Sequence, residues 1–213
     1  MRIVFMGSPE FAVDSLKALV EASQHEVVAV ITQPDRPKGR GQKVLMTAVK
    51  EYALTKNLPV LQPAKIRTKE FVEELKALEP ELIVVVAFGQ FLPKDILQMP
   101  KYGCINVHAS LLPKYRGAAP IHYAIMNGEK ETGVTIMMMD VGMDTGDMLA
   151  KAVTEISDEM TMGVLHDQLK IAGAKLLLDV VEGLEKGTIK PVPQNNEEAT
   201  YASLLDKEIE KIE

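Results

Sequence analysis

The chain has 213 residues, 46% of them hydrophobic and 25% charged, which suits one full domain with a buried core and excludes a wholly disordered chain. A formal net charge of −6 argues against a protein that coats nucleic acid nonspecifically. Cys104 is the single cysteine, so no internal disulfide forms, no apolar run reaches the roughly 20 residues of a membrane-spanning helix, and the opening MRIVFMGSPEF lacks the pattern of a signal peptide; these features favour the cytoplasm and no membrane partner.

Arg2 to Met6 reads as a strand that Gly7 breaks. Ser8 is placed to cap a helix with Pro9 at its first position, and Phe11, Leu16, Leu19 and Val20 continue at helical spacing. Val27 to Ile31 is a second strand, so the start reads as a βαβ unit with parallel, buried strands. Residues 33–43 (QPDRPKGRGQK) are polar, with two prolines and two glycines, and read as an exposed loop. Val44 to Lys56 reads as a helix, Val60–Leu61 as a short strand, and Thr68 to Leu78 as a helix that stops before Pro80.

The run LIVVVAF, Leu82 to Phe88, is the best candidate for a central strand, because a continuous β-branched run suits burial on both faces. Residues 103–108 (GCINVH) form the next strand, and a helix through Ile121 and Ile125 follows the loop SLLPKYRGAAP. Val134 to Met139 is a strand leading into DVGMDTGD; Met148 to Ile156 follows as a strand that the short link sets antiparallel. Thr161 to Val181 carries the longest helical pattern. The fold class is therefore α/β, a doubly wound and mostly parallel sheet over residues 1–190. Residues 191–213 are polar, with Pro191, Pro193 and the Asn195–Asn196 pair, and read as a linker. Ligands of such sheets bind at the carboxyl ends of the strands.

Asn106 and His108 stand two apart on one strand, so they share a face and lie about 7 Å apart along the chain. Polar residues at an otherwise apolar strand end are costly unless paired or used. Asp144 sits in a glycine-flanked loop after another strand, from which a carboxylate can reach the imidazole. Acyl transfer to an amine passes through an oxyanion, and fixed donors stabilise it, one of them contributing about 2.7–4 kcal/mol in a well-studied case. Asn106 offers an amide N–H, a protonated His108 offers a charged donor, and Asp144 favours the imidazolium and helps take the amine proton. Singly, each residue is more often structural; together they point to one reacting centre.

NVHASLLPKYRGAAP, Asn106 to Pro120, resembles the signature of the folate-dependent formyltransferases, and DVGMDTGD resembles that family's second block in the same order and spacing. The resemblance runs from Met1 to about Tyr201 and implies a Rossmann-like formyltransferase fold. It places catalysis on Asn106, His108 and Asp144. It places folate contacts on Ser110, Leu111, Leu112 and Pro113, on Phe88, Gly89, Gln90, Phe91 and Leu92, and on Asp140, Val141, Gly142 and Met143. The implied donor is 10-formyltetrahydrofolate. The start FMGSPEFAV and the loop TQPDRPKGRGQK are similar to the branch of the family whose acceptor is methionyl initiator tRNA. In that branch the loop is an insertion that contacts the tRNA, so Arg36, Lys38, Arg40 and Lys43 are expected to meet phosphates; a solvated surface loop is the plain alternative. That branch also carries a C-terminal β-barrel domain, toward which residues 191–213 would lead.

Members acting on glycinamide ribonucleotide or amino sugars share the Asn, His and Asp pattern but have no reason to carry the basic insertion. A nucleotide-binding module is a weaker alternative, since FMGSPE does not supply G-x-G-x-x-G. No metal is expected, because His25, His108, His122 and His166 are scattered without helical ligand spacing.

Overall fold

The computed structural model describes residues 1–41 and 43–203. A seven-stranded sheet has the order β5-β2-β1-β6-β7-β8-β9, where β1 is Arg2–Gly7, β2 Glu26–Ile31, β5 Val60–Leu61, β6 Leu82–Val86, β7 Cys104–His108, β8 Glu131–Met138 and β9 Met148–Glu155. The strands from β5 to β7 run parallel, while β8 and β9 add antiparallel pairings at one edge. Strand order reverses between β1 and β6, so the crevice at their carboxyl ends is the switch point of the sheet.

β6 is central because all five of its residues, LIVVV, are buried, which requires cover on both faces. One face, with Ile3, Phe5, Val84 and Val107, packs under α1 (Glu10–Glu21), α2 (Ala48–Thr55) and α6 (Met162–Lys186). The other, with Val4, Met6, Val85 and Cys104, packs under α3 (Lys69–Ala77) and α4 (Lys94–Leu97). α6 starts where the Thr161 side chain accepts from the Val164 amide at 3.2 Å and ends at Gly187, which takes the left-handed φ of 71°. Leu165, Leu169, Leu177, Val180 and Val181 are its buried stripe, each contributing about 1.5–3 kcal/mol. The helix runs one further turn past Val181 because Leu184 still packs on the core.

Three local expectations are corrected. Pro9, not Ser8, is the N-cap of α1; the Ser8 hydroxyl instead accepts from the Gln33 amide at 3.1 Å. Residues 36–45 are not an irregular loop but an antiparallel hairpin, β3 (Arg36–Lys38) with β4 (Lys43–Leu45), and the helix expected from Val44 begins only at Ala48, capped by Thr47. The segment expected to be a linker packs back on the domain: Val192 exchanges two backbone hydrogen bonds with Met148, and Ala202 is fully buried with its amide 2.7 Å from the Arg116 carbonyl. A 3-10 turn, Asn196–Glu198, lies between them. The rest of the expected linker, 204–213, lies outside the described residues.

Candidate active site

Alternation along β7 decides which side chains meet. Ile105 and Val107 enter the core on the α6 side, so Cys104, Asn106 and His108 point to the opposite face. Asn106 is half-buried and His108 is only 6% exposed. The His108 Nε2 lies 2.8 Å from the carbonyl oxygen of Tyr115. A carbonyl only accepts, so Nε2 carries the hydrogen and the neutral ring presents a bare Nδ1. That Nδ1 lies 3.8 Å from Asp144 Oδ2, while the same carboxylate oxygen accepts from the Gly117 amide at 2.7 Å. The only proton His108 can gain therefore goes to Nδ1, beside Asp144.

Asp144 arrives by a route that strand-end reasoning does not foresee. β8 is antiparallel to β7, so its carboxyl end, Met138, stands opposite Ile105 near the start of β7. The Met139 amide bonds the Cys104 carbonyl there, and the loop 140–147 then doubles back along β7 to bring Asp144 to His108. Asp140 shapes the return by accepting from the Gly142 amide and the Thr145 hydroxyl. At Gly146 the Met138 carbonyl occupies the space a side chain would need. The two residues facing the His108 nitrogens, Tyr115 and Asp144, have φ of 57° and 56°. Left-handed geometry in a non-glycine residue costs about 1–3 kcal/mol and persists only where the surroundings impose it.

The loop between His108 and Pro120 (the start of α5, Pro120–Met126) is tied from below. Thr135 of β8, fully buried, donates to the Ser110 carbonyl at 2.7 Å and accepts from the Leu112 amide at 3.1 Å. Lys151 of β9 donates to the Leu112 carbonyl at 2.6 Å. Of the four residues expected to touch folate here, Ser110 and Leu112 are buried, with the Ser110 hydroxyl turned onto the Lys114 carbonyl, while Leu111 and Pro113 are half-buried. In the expected stretch after β6, Phe88 and Leu92 are buried, Gly89 and Phe91 exposed, and the Gln90 side chain is engaged with Ile66 and Gln33. Asp140, Val141, Gly142 and Met143 are all exposed. Phe91 (68% exposed), Val141 (81%) and Met143 (49%) thus offer apolar surface on the two loops that flank β7.

A cavity of about 380 Å³ opens at the switch point, lined by Gln33, Pro34, Arg36, Leu45, Met46, Thr47, Phe88 and Gly89. Of these only Arg36, Phe88 and Gly89 were legible as site residues. Gln33 links its two sides, donating to the Phe88 carbonyl at 2.8 Å. The hairpin forms one wall. Arg36 lies in β3, Lys43 in β4 opposite Lys38, and Arg40 in the turn between them; Arg36, Arg40 and Lys43 are exposed. Asp35 does not neutralise them. Its carboxylate takes hydrogen bonds from Lys50 and Gln62, both at 2.8 Å, and these hold it below the usual carboxylate range. Asn106 and His108 thus share one face of β7, with Asp144 brought beside His108, whereas Arg36, Arg40 and Lys43 stand on the hairpin.

The family model described as formyl transferase matches residues 1–181. The chain belongs to the formyl transferase family. A methionyl-tRNA formyltransferase of Acetivibrio thermocellus is 57% identical over 209 residues, 98% of this chain and 67% of that protein. Among solved structures, this formyl transferase resembles an N-formyltransferase of Helicobacter canadensis in complex with folinic acid and dTDP-3-aminofucose, with a TM-score of 0.71 and 25% identity over 97% of this chain and 71% of that one. It also shares its fold with the phosphoribosylglycinamide formyltransferase of Bacillus halodurans, with a TM-score of 0.73 and 24% identity over 88% of this chain and 97% of that one.

Proposed function

We propose that this formyl transferase moves the formyl group of 10-formyltetrahydrofolate to the α-amino group of the methionine carried by initiator tRNA. The exposed apolar side chains of Phe91, Val141 and Met143, beside backbone groups at Gly89 and Gly142, fit a flat heteroaromatic ring presented edge-on to the chain. Bound there, the folate supplies an activated formyl carbon. Every other contribution comes from the chain. Asn106 provides an amide donor. His108, anchored through Nε2 by the Tyr115 carbonyl, provides Nδ1–H in its charged form. Both donors are held in a partly dry site, where fixed dipoles stabilise a developing oxyanion most strongly. Asp144, its Oδ2 oriented by the Gly117 amide and 3.8 Å from Nδ1, holds the imidazolium and receives the proton of the attacking amine directly or through one water; as the intermediate collapses the C–N10 bond breaks and that proton passes to the leaving N10 of tetrahydrofolate.

One observation carries the choice of acceptor: the hairpin of exposed cations that walls the cavity at the switch point. A small amine needs no such arm, whereas a phosphate backbone does. The high identity to methionyl-tRNA formyltransferases supports the same acceptor. Formyl transfer to methionyl initiator tRNA, run beside glycinamide ribonucleotide, tests the reading. The tRNA is expected to be the formylated product; formylation of the nucleotide alone would sink it.

A further inference from the structure

The geometry points to the segment from Val192 to Ala202 as part of the catalytic apparatus, with Gln194 as the residue that positions Asp144. This rests on the reading of Asp144 given above. The Gln194 side chain uses every hydrogen-bonding group it has. Its Nε2 donates to the carbonyls of Asp144 and Gly146, both at 2.8 Å, so it grips the two ends of the turn that presents the carboxylate. Its Oε1 accepts from Arg116 Nε at 3.1 Å and Nη2 at 2.9 Å. Arg116 fixes which way the amide points, because a guanidinium only donates.

Arg116 is only 2% exposed, and among the described residues no carboxylate pairs with it; Asn196 Oδ1, at 2.8 Å, is its other partner. A buried guanidinium held by amide oxygens alone is costly and needs a compensating use. Here its charge polarises the Gln194 amide and strengthens the donation to the Asp144 turn. The same segment holds the second left-handed residue: Thr200 Oγ1 accepts from the Tyr115 amide and the Thr200 carbonyl from the Arg116 amide, both at 2.9 Å. Both residues that face the His108 nitrogens are thus imposed by a strap that returns after α6. Gln194 acts on Asp144, Thr200 on Tyr115.

Gln194→Glu separates positioning from simple support. Its carboxylate keeps and strengthens the bond to Arg116, so the strap stays docked. Its second oxygen, however, faces two carbonyl oxygens where a donor is needed. We expect folate affinity unchanged and the melting temperature lowered by only several degrees, since two part-buried bonds are lost while the bond to Arg116 holds, with single-turnover formyl transfer slowed roughly 10- to 100-fold, as a displaced reacting group produces. In an Asp144→Asn background the same change should slow transfer no further, within about twofold. A full rate in Gln194→Glu, or losses that multiply in the double variant, would overturn the assignment. The His108 Nδ1 resonance in a side-chain ¹⁵N spectrum reads the same placement without substrate: it should move in Gln194→Glu and stay put in Glu198→Gln, and an unmoved signal counts against the proposal. The wild-type rate reports on the proposed acceptor; the variant-to-wild-type ratio and the resonance report on Gln194.

Discussion

Thr135→Val replaces a buried hydroxyl with a methyl of nearly the same shape, and the hydrogen bonds it removes are known. Thr135 Oγ1 is the partner of both the Ser110 carbonyl and the Leu112 amide, in a position with no solvent access. Valine leaves both backbone groups buried and unpaired. At about 1–3 kcal/mol for each unsatisfied group, the sum is about 2–6 kcal/mol. A central value of about 4 kcal/mol corresponds to a fall of about 8–16 °C in Tm for a chain of this size. Thr135→Ser keeps the hydroxyl and deletes one methyl, so it should lose only about 1 kcal/mol. Urea unfolding of wild type and both variants measures the contrast. If valine were within about 0.5 kcal/mol of wild type, or serine the more damaging change, the hydroxyl would not be what holds the 109–113 loop, and the reasoning fails.

His108→Ala and Asp144→Ala should each slow formyl transfer by roughly 10²–10⁴-fold while folate binding, followed by intrinsic fluorescence quenching or calorimetry, is retained; parallel loss of binding would assign them structural roles. Gly117→Ala should destabilise the chain and undock the strap, because Gly117 has φ of 112° and a side chain there would meet the Ala202 carbonyl at 2.5 Å; chemical denaturation and limited proteolysis after Gly187 read both effects. Arg36→Ala and Arg40→Ala should each weaken initiator tRNA binding and make its salt dependence shallower by about one unit of log–log slope per lost phosphate contact, with little change in folate affinity. Burial pushes the Cys104 thiol up to about 12. The unfolded chain therefore releases this proton first, so stability should fall as pH rises from about 9 toward 12, and the native thiol should resist iodoacetamide at pH 8 until the chain is unfolded.

Residues whose role depends on burying apolar side chains are legible in the amino-acid pattern. LIVVV had to be a central strand because each of its residues needs cover. The alternation in GCINVH placed Asn106 and His108 on one face, since Ile105 and Val107 had to enter the core. The 25 residues of α6 carried their buried stripe in plain view. The hairpin 36–45 was not legible, because its residues are mostly exposed and leave no alternation to read. Nor was the strap, whose docking rests on backbone groups and amides.

What the sequence alone determined is which segments become the sheet's buried strands, which helices cover its faces, and the identity of the polar groups left over on β7. The tertiary structure decided where Asp144 goes and what holds it. The contacts that place it join residues 27 and 50 positions apart, with Arg116 and Gln194 behind them separated by 78. Periodicity records the local demand to bury carbon. A hydrogen bond between distant polar groups imposes no spacing on either partner, so only the folded chain reveals it.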